Sequence, residues 1–112
     1  MWVMVSGPYR AATTDGRQAN LRELNRVAHE IFRKGHVPII GVNVALPIIE
    51  AVGGQLYDDI MMPMCMRLIE RCDAVLRIGG ASEGADIEVG EFRARGLLVF
   101  ESIDDIPPAT TP

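Results

Sequence analysis

Apolar residues along the 112-residue chain fall into short runs set off by turn residues, and the runs alternate in period. "WVMVS" (residues 2–6) is apolar and β-branched, ends at Gly7-Pro8, and reads as a buried first strand. A long, turn-rich loop "GPYRAATTDG" (7–16) follows. From about Arg17 to Lys34 the spacing of Leu21, Leu24, Ala28, Ile31 and Phe32 predicts a helix, stopped by Gly35. "HVPIIG" (36–41) reads as a second buried strand. Residues 42–59 mix β-branched residues with Pro47 and the Gly53-Gly54 pair, and read as a loop with one short helical piece.

A helix is expected from around Asp58 or Met62 to Arg71, with Met61, Met64, Cys65, Leu68 and Cys72 on one side. Pro63 belongs in its first turn or kinks it. "DAVLRI" (73–78) is a third strand, Glu83–Arg95 a helix closed by Gly96, and "LLVF" (97–100) a fourth strand. "SIDDIPPATTP" makes a short turn and then a tail.

Short strands, apolar on both faces and alternating with helices, predict a parallel sheet covered on both sides. The expected fold is a small Rossmann-like, flavodoxin-like α/β domain of four to five strands over residues 1–106, with 107–112 as a tail. In such sheets ligands bind beyond the carboxyl ends of the strands. The loops Gly7–Gly16 and Gly79–Gly84 therefore share the binding edge.

Composition narrows the function classes. The net charge of −4 argues against nucleic acid or an anionic membrane as the main partner, but leaves room for a small phosphorylated ligand. Met1–Val5 has no basic leader, and no apolar run reaches the roughly 20 residues that span a bilayer. Cys65 and Cys72 lie seven apart on one expected helix, too far for a disulfide and without a His neighbour for a metal. They read as buried thiols of a cytoplasmic protein, and neither metal nor cofactor is expected. His29 and His36 read as structural, and Trp2 and the Met-rich helix face as core or subunit interface.

The chemistry concentrates in "GGASEGADIEVG" (79–90). Ser82 is a good N-cap, and Gly84 lets a ligand reach the free amides of the first turn. Arg10, in the facing loop, supplies a charged contact that phosphate favours. Ala85, Val89 and Phe92 form the apolar face of the helix, and Glu88 projects on or beside it. A sugar attached to a phosphate at Ser82, Gly84 and Arg10 sits about one turn further in, beside Glu88, which there attacks or supports an anomeric carbon. The alternative is a structural carboxylate bonded to Arg10 or to a backbone amide. Asn43, after the second strand, is expected at the same edge, touching a base or ribose or making a turn.

"VMVSGPYR", Asn20, "GHVPI", "CDAVLRIGG" and "SEGADIEVGEFRARGLLVF" together resemble the nucleoside 2-deoxyribosyltransferase-like superfamily, over residues 2 to about 100. The nearest pattern is its short subgroup of uncharacterised proteins with "GP…N…CDA…SxGAxxE". The resemblance implies that Glu88 is the nucleophile on the sugar C1′. In relatives that hydrolyse nucleoside 5′-monophosphates, a Ser matching Ser82 binds phosphate, and the first-loop Gly and Arg match Gly7 and Arg10. It thus implies a nucleotide or nucleoside ligand, with Gly7, Arg10 and Ser82 at its phosphate, and a cleft closed by homo-oligomerisation; Tyr9, Gly84 and Asn43 are the further contacts expected from their places at the same edge.

Two positions depart from the family pattern. Cys65 stands where active members carry an Asp that positions the nucleophile or handles a proton, and Met4 where they carry a Tyr. Tyr9, Asp58 and Asp59 are the nearby candidates to replace them. These departures keep open a non-catalytic nucleotide-binding module. A phosphoribohydrolase of the "PGGxGTxxE" type fits less well, since "IGGASEGADIE" lacks its Thr and the Arg after its glycines.

Overall fold

The computed structural model describes residues 1–110. Four parallel strands, β1 (Trp2–Ser6), β2 (Val37–Ile39), β3 (Ala74–Arg77) and β4 (Leu98–Phe100), form one sheet in the order β2-β1-β3-β4. Helices α1 (Thr14–Arg33), α2 (Gly41–Val52), α3 (Tyr57–Ile69) and α4 (Glu83–Ala94) connect them, with short 3-10 turns at Gly54–Leu56 and Ile103–Asp105. This is the small flavodoxin-like α/β domain expected, with four strands.

Side chains alternate across the sheet because a strand repeats every two residues. Val3, Val5, Ala74 and Leu76 face α1, packing on Leu24, Val27 and Ile31. Met4 and Val75 face the other way, onto Ile69, Val89 and Phe92 of α3 and α4. A smaller cluster of Ala45, Ile49, Met61 and Cys65 joins α2 to α3.

Several boundaries differ from the sequence expectation. α1 starts three residues early, at Thr14, because Thr13 caps it: its hydroxyl accepts from the Gly16 amide at 3.0 Å. The stretch expected to be mostly loop is the full helix α2, with Gly41, Ala45 and Ile49 buried at helical spacing. Pro47 sits inside α2 and Pro63 inside α3, beyond its first turn; both are exposed, so neither ring takes up space in the core. Trp2, at 48% exposure, is not a core residue.

His36 is structural: one ring nitrogen meets the N-terminal amine at 2.8 Å and the other the Pro107 carbonyl at 2.7 Å. Lys34 holds the same segment, donating from Nζ to the carbonyls of Ile103 and Ile106 and accepting from the Ala109 amide. His29 is exposed and stacks on Phe32. Residues 111 and 112 of the expected tail lie outside the described residues. Among the described residues no helix is long and apolar enough to cross a membrane, and no group of three or more potential ligands is placed to hold a metal.

Candidate functional site

The chain runs from β1 to β2 in one direction and then to β3 and β4 in the other, so the topological switch lies between β1 and β3. Ligands of open parallel sheets bind at that point, beyond the carboxyl ends of the strands. A cleft of about 540 Å³ opens there, within the usual size of small-molecule sites. Its walls are the loop after β1 (Gly7 to Arg10), the first half of α3 with Cys65, and the start of α4 from Ala81 to Glu88.

The two loops at the switch are held very close. A Cβ on Gly7 would come within 2.8 Å of the Ile78 carbonyl oxygen, so only glycine allows this approach. Gly79, at φ +76°, turns the second loop against the Pro8 ring, a conformation that a side chain would strain. Arg77 pins the same turn by donating to the carbonyls of Ile78 and Gly80, and reaches the Asp86 carboxylate at 3.3 Å. Asn20 fixes the first loop from α1, its amide donating to the Tyr9 carbonyl at 3.0 Å.

Ser82 begins α4. Its hydroxyl accepts from the Ala85 amide at 3.2 Å, which leaves the amides of Glu83 and Gly84 without an intrahelical acceptor at the cleft wall. Such a helix start attracts anions. Arg10 stands on the opposite wall, exposed, bonded to Asp58 at 2.9 Å and lying 4.9 Å over the Tyr57 ring. These contacts raise its already high pKa further, the Tyr57 contact most and Asp58 next, so it remains a cation.

Glu88 lies one turn into α4, partly buried, beside buried Ala85 and Val89. Burial is the main influence on its carboxyl and pushes the pKa from the ordinary 4.5 up to about 7. The Ser6 hydroxyl, the Cys65 thiol and the Arg77 charge act against that rise by favouring the ionised form. Neither donor closes a full hydrogen bond, and Ser6 Oγ is the buried side-chain polar atom left without a partner among the described residues. Burial, and then the nearby Glu88 charge, push the Cys65 thiol up to about 12. The thiol is therefore protonated wherever Glu88 titrates, a donor rather than a base.

Of the residues singled out from sequence, Gly7, Tyr9, Arg10, Ser82, Gly84 and Glu88 all line this one cleft. Glu88 is not tied to Arg10, whose partner is Asp58. Asn43 does not belong with them: it is in the first turn of α2, exposed, and donates to the Asn25 side chain at 2.8 Å. That misplacement follows from reading α2 as loop.

Met4 is fully buried in the core, and Cys65 occupies the wall beside the carboxylate. Asp58 and Tyr9 line the cleft, whereas Asp59 does not. Both cysteines are buried and free. Ser6 escaped notice in the sequence, although its two-residue spacing from Met4 sends both side chains to the α4 face. Compared with known protein families and with curated proteins, the sequence matches none.

Proposed function

We propose that the protein cleaves or exchanges the N-glycosidic bond of a nucleoside 5′-monophosphate or nucleoside, with Glu88 as the nucleophile. The observation that carries this reading is a partly buried, otherwise unpaired carboxylate one helical turn inside an anion-accepting helix start, in a cleft of ligand size. The phosphate would lie against the Glu83 and Gly84 amides and Ser82, with Arg10 opposite. The resemblance to the nucleoside 2-deoxyribosyltransferase-like superfamily supports the same assignment.

In the first step a Glu88 oxygen attacks C1′ as the C1′–N bond breaks, and the bonding pair leaves with the base, which takes a proton from solvent. Water, or the nitrogen of another base, then attacks C1′, losing its proton to solvent, and releases Glu88 as carboxylate. The nucleophile must be ionised, so activity rises with pH through about 7. A second copy is the proposed cover for the outer face of α2, where Val44, Ile48 and Val52 are exposed at four-residue spacing. Sedimentation of a monomer at high concentration would remove that proposal.

The test is release of free base from a panel of purine and pyrimidine ribo- and deoxyribonucleoside monophosphates. Glu88→Ala is expected to abolish it, and no turnover by the intact protein across the panel would reject the enzymatic reading. A second reading, a nucleotide-binding module without turnover, draws on Cys65, which can donate but not accept a proton, and on Met4 buried in the core. Calorimetry showing tight nucleotide binding with unchanged ligand would establish it instead.

A further inference from the structure

We propose that Ser6 and Cys65 are a donor pair that positions Glu88, turning to its carboxylate when it ionises and holding one oxygen toward the cleft. The inference rests on the reading of Glu88 as the working group and adds the residues that hold it. Three elements converge here: β1 brings Ser6 from the sheet, α3 brings Cys65, and α4 brings Glu88. Ser6 is 2% exposed and its hydroxyl has no partner among the described residues. A buried hydroxyl without an acceptor is costly, and the neighbouring carboxylate, once charged, is the acceptor within its reach.

Cys65 reaches the same group from α3. A Cβ on Gly41 would overlap its sulfur, so the glycine of α2 leaves the thiol its place. Other groups facing Glu88 are Arg77 from β3 and Cys72 after α3. Burial raises the Cys72 thiol to about 11, so both thiols stay neutral while Glu88 titrates. A neutral thiol and a hydroxyl can only donate to a carboxylate, which favours its charged form and fixes its rotamer.

The experiment is a carbon-13 NMR titration of the Glu88 side-chain carboxyl, its signal identified by loss in Glu88→Gln. It is run on the unmodified protein and on Ser6→Ala, Cys65→Ala and Cys65→Ser, with base release measured alongside. Removing either donor is expected to raise the Glu88 midpoint by roughly 0.5 to 1 pH unit, and Cys65→Ser to return it toward the original value. For base release, Ser6→Ala lowers kcat while leaving KM near its starting value. An unchanged midpoint in either alanine variant overturns the pair, even if Glu88-dependent turnover is present. Shifted midpoints in a protein without turnover uphold the pair and reject only the enzymatic reading. Should Cys65→Ala fail to fold, Ser6→Ala decides, since an unshifted midpoint there already refutes the pair.

Discussion

Replacing Glu88 by Gln should remove the loss of folding stability that the Glu88 carboxyl causes as pH rises. Burial raises the carboxyl from 4.5 to about 7 in the folded chain, while the unfolded chain keeps the ordinary value. A carboxyl with a raised folded pKa contributes its full stability below 4.5, where it is protonated in both states. Between 4.5 and about 7 the unfolded chain releases its proton first, and the contribution is lost as pH rises through the folded value. At about 1.4 kcal/mol per pH unit, the loss amounts to roughly 3 kcal/mol for this rise from 4.5 to about 7.

Gln keeps the shape and carries no charge, so the variant avoids that loss. Urea unfolding of both proteins, followed by circular dichroism from pH 4.5 to 8, measures the difference directly. Other groups, such as the exposed Glu23 whose Arg26 partner lowers its pKa, are common to both chains and cancel. The stability difference between Gln and Glu should grow by roughly 3 kcal/mol in favour of Gln across the interval. Parallel curves would show that Glu88 ionises without strain, and the account of its burial would be wrong.

Other consequences concern the anion cradle. Ser82→Ala removes the α4 cap and should lower unfolding stability by about 1 kcal/mol; it should also raise KM for a monophosphate more than for the matching nucleoside, in paired steady-state assays. Arg10→Ala breaks an exposed pair with Asp58, so its melting curve should barely move. Its KM for the monophosphate should nonetheless rise about tenfold, equivalent to about 1.4 kcal/mol of lost contact. The pH profile of kcat/KM should rise to a plateau above about 7, and a profile already flat at pH 5 would contradict the raised Glu88 value.

Much of this geometry was legible in the chain itself. The spacing of Ala85, Val89 and Phe92 places them on the buried face of α4, and Glu88 beside them follows from the same period. The two loops at the binding edge follow from strand order and turn residues. α2 was hidden because Pro47 and a run of β-branched residues weaken local helix preference, while tertiary packing of Gly41, Ala45 and Ile49 against α3 overrides it. Asn43 was misplaced for that reason. The approach of Ser6 and Cys65 to Glu88 joins residues from β1, α3 and α4, distant in the sequence, so only the packed fold brings it out.

The most direct test of Glu88 as nucleophile is peptide mass spectrometry of the protein quenched in acid during reaction with a nucleoside 5′-monophosphate. The predicted result is the mass of a sugar 5-phosphate residue added to the peptide that contains Glu88, with free base released in at least equal amount and no adduct in Glu88→Gln. Base release with the added mass on another residue, or undiminished turnover by Glu88→Gln, would contradict the mechanism.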